Sequence, residues 1–148
     1  MKRMLTKSSL ETKAFGRRIA QEILNLPEPR QSAFVIGLKG DLGGGKTTFV
    51  QGFAKGLGIK EKILSPTFVI LRKFKIQNSK FKILFHIDCY RLKNSRELLD
   101  LGFKEIVSNP KNIVVVEWAD KIRKILPENT ILLRFDFVDE KTRKIMLK

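Results

Sequence analysis

The chain has 148 residues, a mass of 17.1 kDa, 43% hydrophobic residues and a formal charge of +15 at pH 7. That length suits a single domain, expected over residues 1–148, which buries enough surface to fold without disulfides or a structural metal. The lone Cys89 fits a reduced, cytoplasmic protein; no apolar run is long enough for a membrane span, and the basic stretch Met1–Leu10 lacks the apolar segment of a secretory signal.

In chain order, Ser8 and Glu11 have capping-box spacing, and Phe15, Ile19 and Ile23, joined by Ala20 and Leu24, predict an amphipathic helix stopped by Pro27 and Pro29. Ala33 to Leu38 reads as a short buried strand. Helical spacing returns at Phe49, Val50, Phe53, Ala54 and Leu57, with Gly58 as a C-terminal cap. Phe68 to Phe74 and Phe81 to Ile87 are β-rich runs flanking Gln77-Asn78-Ser79-Lys80, which predicts an antiparallel hairpin. In the second run Phe81, Ile83, Phe85 and Ile87 alternate with Lys82, Leu84, His86 and Asp88, so the first set is expected to form its one buried face. Ser95 to Val107 reads as helical with an interruption at Gly102. Ile113 to Val116 is wholly β-branched, as in an interior strand covered on both faces. A short helix over Trp118 to Leu126, ended by Pro127, and a strand pair over Thr130 to Phe137 and Arg143 to Leu147 complete the chain. The sum is one α/β domain with a mixed sheet.

Between the first predicted strand and the second helix, Gly40-Asp41-Leu42-Gly43-Gly44-Gly45-Lys46-Thr47 matches G-x-x-x-x-G-K-S/T at every fixed position. Glycines let the backbone turn tightly and aim N–H groups at phosphate oxygens, and the helix that follows offers its own unpaired N–H groups and positive dipole end. Lys46 is placed to reach the β- and γ-phosphates of ATP, and the Thr47 hydroxyl to join a Mg²⁺ shell. The fold expected is therefore a P-loop NTPase with a partly parallel sheet flanked by helices. Two carboxylates compete for the metal: Glu117, ending the interior strand, and Asp88, ending the half-buried one. Interior placement at the ligand-binding edge of the sheet favours Glu117, which leaves Asp88 to orient or deprotonate a water. Asn-Lys-x-Asp, the guanine reader of GTPases, and Leu-Ser-Gly-Gly, the transporter-ATPase signature, do not occur. A small-molecule or nucleoside kinase is the alternative, although no Arg-rich lid segment is evident.

Taken together, Gly40 to Thr48, Ser65-Pro66-Thr67-Phe68, His86-Ile87-Asp88-Cys89-Tyr90-Arg91 and Glu117-Trp118 stand in an order that resembles the TsaE family of bacterial tRNA threonylcarbamoyladenosine synthesis. The resemblance implies a mixed-sheet P-loop fold, weak ATP hydrolysis, and partnership with TsaD-like and TsaB-like proteins that carry out the threonylcarbamoyl transfer. It also implies that Thr47 and Glu117 hold Mg²⁺ and that Asp88 serves hydrolysis. On the same basis Thr48 belongs to the nucleotide loop, Ser65-Pro66-Thr67 forms a switch-like loop, and Arg143 lies near the nucleotide. Phe68 stands where the family commonly has Tyr. The basic residues are scattered, with short clusters such as Arg72-Lys73 and Arg123-Lys124, so most are expected on solvated faces. Their excess leaves room for a weak contact with tRNA. His86 and Cys89 read as structural, and Tyr90 and Trp118 either as covers for the nucleotide base or, the reading preferred, as packing residues. Arg91 reads either as a phosphate-charge stabiliser or as a partner of Glu97 or Asp100.

Overall fold

The computed structural model describes residues 3–27, 30–41, 43–64, 70–78 and 80–147. Its seven strands are β1 (Arg3–Thr6), β2 (Phe34–Gly40), β3 (Leu71–Lys75), β4 (Ile83–Asp88), β5 (Asn112–Glu117), β6 (Ile131–Phe137) and β7 (Arg143–Leu147). The helices are α1 (Ser9–Leu24), α2 (Lys46–Gly56), α3 (Arg96–Asp100) and α4 (Phe103–Ser108), with a 3₁₀ segment at Ala119–Ile125. The strands form one sheet in the order β1-β7-β6-β2-β5-β4-β3. Its centre, β6-β2-β5-β4, is parallel, and its margins pair antiparallel through β7 and β1 on one side and β3 on the other.

Side-chain alternation on the central strands feeds two cores. Ile36, Leu38, Leu84, Ile113, Val115, Leu133 and Phe135 face α1 and α2, where Phe49, Val50 and Phe53 are buried. Val35, Ile87, Val114 and Val116 face Leu98, Phe103, Ala119 and Ile122 on the opposite side. Every residue of β5 is buried, as its β-branched run predicts. The sequence of β4 suggests one covered face, but β4 is interior too, hydrogen-bonded to both β5 and β3, and both its faces are covered. Leu84 and His86, expected on the open side, are fully buried, whereas Ile83 and Phe85 are only partly so. The contrast between an interior Glu117 and a half-buried Asp88 therefore falls away: both end interior strands, in register with each other.

Ser8 caps α1 by accepting from Glu11 N–H at 3.1 Å, while Glu11 Oε1 accepts from the N–H of Lys7, one residue before the cap, a variant of the capping box. Gly102, at φ +90°, splits the predicted third helix into α3 and α4. Helices α1 and α2 touch backbone to backbone, because Gly16 and Gly52 carry nothing between them. A Cβ on Gly52 would lie 2.0 Å from Lys13 O, and one on Gly16 would lie 2.4 Å from Phe49 O. Strand β1 has no signal in the sequence; its four residues become a strand by pairing with β7.

Candidate active site

Strand β2 ends at Gly40, whose φ of +125° suits glycine alone. A Cβ there would also lie 2.0 Å from Phe135 O, so β6 itself demands the glycine. The chain then turns into α2 through Gly45, at φ +99°. Among the described residues no side chain caps α2, so its first N–H groups and positive dipole end are directed at the cleft. The cleft has a volume of about 540 Å³ and lies at the carboxyl ends of the parallel strands. Gly43, Gly45, Lys46, Thr47 and Thr48 line it, together with Asp88, Glu117 and Arg143.

Side-chain alternation explains the convergence of the polar groups. His86 and Asp88 share the face of Leu84 on β4, and Glu117 shares the face of Ile113 and Val115 on β5, so all three point toward α2. Thr47 Oγ1 donates to Glu117 Oε1 at 2.9 Å, bridging 70 positions of sequence. His86 Nε2 lies 2.6 Å from the other oxygen, Glu117 Oε2. Asp88 Oδ1 accepts from Tyr90 N–H at 2.9 Å. Burial raises the Asp88 pKa above the usual carboxylate value, with Glu117 adding to the effect; the Tyr90 N–H, His86 and Lys46 oppose it.

Lys46 is 5% exposed, and its ammonium donates to the carbonyls of Gly40 at 3.1 Å and Asp41 at 2.7 Å. Burial lowers its pKa, while Glu117, Asp41, Asp120 and Asp88 pull the other way. The same ammonium sits 4.1 Å from the centre of the Trp118 ring. Trp118 takes the left-handed conformation at φ 58°, a strain of ~1–2 kcal/mol for a residue with a Cβ. This turn carries the chain from Glu117 into the 3₁₀ segment and leaves the indole beside Tyr90, ring centres 5.0 Å apart.

Two loop residues stand elsewhere than expected. The Asp41 side chain turns out of the cleft and accepts from Phe137 N–H at 3.3 Å, so the loop engages Asp41 through its carbonyl. Gly44 packs against Phe135 and Asp41 O and does not line the cleft. Leu42 and the Ser65-Pro66-Thr67-Phe68 motif lie outside the described residues. Arg143 lies against Gly45 and donates to the carbonyls of Asp139 at 2.6 Å and Thr142 at 3.0 Å. Arg91 lines the cleft, and Glu97 instead accepts from Lys93 N–H. Cys89 is buried and its pKa is pushed up to about 12, so it stays a thiol.

Several cleft residues escape sequence reasoning. Ser8, Ser9 and Thr12 come from the start of α1, and Glu140 and Lys141 from the β6–β7 connection. The capping signal at Ser8 marks a helix start but carries no information on where that start docks. The hydroxyls of Thr6 and Thr12, 2.7 Å apart, tie β1 to α1 there. His86 was detectable, since it stands two positions before Asp88 and so shares its strand face.

The donor set suits a nucleotide carrying Mg²⁺. A hydroxyl and a carboxylate 2.9 Å apart are the hard oxygen donors this ion takes when phosphates complete its shell. Among the described residues no cluster of three His, Cys, Asp or Glu residues could hold a metal unaided. The glycine-flanked, uncapped start of α2 suits an oligophosphate.

Comparisons with known proteins agree in direction. The family model described as threonylcarbamoyl adenosine biosynthesis protein TsaE matches residues 6–145. A tRNA threonylcarbamoyladenosine biosynthesis protein TsaE from Haemophilus influenzae is 35% identical over 126 residues, spanning 85% of this chain and 76% of that one. Its counterpart from Treponema pallidum is 32% identical over 143 residues, spanning 97% of each. The crystal structure of YdiB from Bacillus subtilis superposes with a TM-score of 0.68 at 28% identity, covering 99% of this chain and 83% of that one.

Proposed function

Since this chain belongs to the TsaE family, we propose that it is the ATP-binding, slowly hydrolysing component of the tRNA N6-threonylcarbamoyladenosine machinery, acting with TsaD-like and TsaB-like partners. The observation that supports the ATPase part is the meeting of Lys46, Thr47, Asp88 and Glu117 in one cleft at the uncapped start of α2. The loop and the first N–H groups of α2 bind the phosphates, and Lys46 leaves the Gly40 and Asp41 carbonyls to take a phosphate oxygen. By donating its proton to Glu117, the Thr47 hydroxyl keeps a lone pair free for the cation. Thr47 and Glu117 would hold Mg²⁺, which when bound supplies charge neutralisation at the β- and γ-phosphates. Asp88 orients the attacking water and accepts its proton. Burial raises its pKa, which makes it a better base than an exposed carboxylate. Turnover by the chain alone is slow because Arg143, the guanidinium beside the loop, is held by backbone carbonyls.

The test is incubation with γ-labelled Mg-ATP, alone and with the partner proteins. Label is expected in inorganic phosphate, released faster when the partners are added. Label on a small-molecule acceptor would instead establish a kinase.

A further inference from the structure

Glu117 carries two hydrogen bonds on two different oxygens, and only one of them comes from a residue that the phosphate-loop motif accounts for. Thr47 takes Oε1, whereas His86 takes Oε2 at 2.6 Å. His86 is fully buried, on an interior strand adjacent to the one that Glu117 ends. Neither the imidazole nor Oε2 can therefore turn to water for a substitute partner.

The imidazole's other nitrogen decides its form. Nδ1 is buried, and among the described residues it has no hydrogen-bond partner. A proton there would be an orphaned buried donor, which the fold disfavours. A proton on Nε2, by contrast, faces a carboxylate oxygen at short range. The arrangement thus favours the Nε2–H tautomer, with Nδ1 bearing a lone pair.

From this geometry we infer that His86 is the positioning residue for Glu117: its Nε2 occupies Oε2 and fixes the rotamer that presents Oε1 beside the Thr47 hydroxyl. A carboxylate held only at Oε1 could swing about its last torsion, which is broad for Glu, and exchange its two oxygens. With Oε2 held, Glu117 keeps one orientation toward a cation shared with Thr47. The arrangement parallels the partners that orient metal-binding side chains elsewhere, whose loss typically costs roughly 10- to 100-fold in metal affinity. The inference rests on the ATP-binding reading given above.

His86 is the single histidine of the chain, so its ring gives one unambiguous set of nitrogen resonances. In the wild-type protein without nucleotide, Nε2 is expected to carry an exchange-protected proton, with the Nε2–H signal shifted in Glu117→Gln. An Nε2 that bears no proton would overturn the inference. The second measurement is calorimetric binding of a non-hydrolysable ATP analogue with EDTA and with Mg²⁺ to wild type, His86→Phe and His86→Gln. His86→Phe should bind the analogue in EDTA within about twofold of wild type and lose roughly tenfold or more of the enhancement by Mg²⁺. His86→Gln, which restores an N–H donor, should recover part of it. Full Mg²⁺ enhancement in His86→Phe would eliminate the positioning role while leaving the ATP-binding reading intact. Failure of the wild-type protein to bind the analogue at all would strike the ATP-binding reading instead, and the tautomer measurement would still judge the His86–Glu117 contact. Should His86→Phe fail to fold, His86→Gln and the wild-type spectrum carry the decision.

Discussion

Lys46 is both the best placed cation for a phosphate and one of the costlier groups to hold in the cleft. The residue is 5% exposed and its pKa is lowered by burial. A folded-state pKa below the unfolded value means that stability is greatest above the unfolded pKa and is lost as pH falls through the folded one. At neutral pH, below the unfolded pKa, the buried lysine therefore weighs against the fold. Lys46→Met is expected to leave the melting temperature unchanged or raised, while ATP affinity falls roughly 10- to 150-fold with the loss of a charge-assisted contact worth ~1.5–3 kcal/mol. Calorimetry and thermal melting check the two halves separately. The two carboxylates should also part company. Glu117→Gln weakens Mg²⁺-dependent ATP binding, whereas Asp88→Asn retains binding and loses hydrolysis. For Asp88 the sign is opposite to Lys46: a raised acid pKa gives stability that is fully present below the unfolded pKa and lost as pH rises through the folded one. Asp88→Asn should therefore melt higher than wild type at pH 7. Wild-type hydrolysis should decline on acidification at a pH above that of an exposed aspartate, and a rate profile that stays flat down to the ordinary carboxylate range would remove Asp88 as the base.

At the level of elements, the contact between α1 and α2 sets the shape of the cleft, because α2 begins at the phosphate loop and α1 contributes Ser8, Ser9 and Thr12. Gly52→Ala forces a Cβ to within 2.0 Å of Lys13 O, a backbone atom that can yield only if the helices separate. Overpacking of this kind typically costs ~1–3 kcal/mol, read as a lower denaturation midpoint in urea, and nucleotide affinity should fall with it. Gly58→Ala is the contrasting variant: it meets nothing within 4 Å and suffers only the strain of φ +81°, so it should leave nucleotide binding alone. These elements also show what the sequence reveals and what it conceals. The phosphate loop was legible because its chemistry is local: Gly40, Lys46 and Thr47 are fixed by a turn and one helix start. Ile113 to Val116 announced an interior strand because β-branched side chains stand on both its faces. The alternation before Asp88 misled, since coverage of β4 depends on β3 and β5 pairing on either side of it, which no window of sequence contains. Strand β1 and the docking of α1 against the loop were hidden for the same reason: Arg3 pairs with Met146 at the far end of the chain.

For the molecule as a whole, charge and family point to different partners. Arg134 and Lys144 share Asp136, and the +15 is what remains after all 15 carboxylates are set against the 30 lysines and arginines. If this surface gripped tRNA through six to ten phosphates, affinity would drop on the order of 10³–10⁵ between about 50 and 200 mM salt. An interface with a packed apolar centre loses far less, because rim charges act mainly on the encounter rate. Binding to the partner proteins is expected to survive 200 mM salt and to depend on ATP, with weak, steeply salt-dependent binding to tRNA alone. Phosphate release at 200 mM salt with each component decides: stimulation by tRNA and not by the proteins would make the basic surface the functional one. The pairing of β1 with β7 has a further consequence, for the order of events during synthesis. Thr6 at the end of β1 is joined to Thr12 of α1, and β7 begins with Arg143, the residue that packs on Gly45. While the ribosome is still making the middle of the chain, the earliest strand has nothing to pair with, and the loop, although already translated, lacks one of its walls. Pairing between segments so far apart in sequence is slow to form. On the ATP-binding reading, nucleotide would meet the complete cleft only after β7 has emerged and paired with β1.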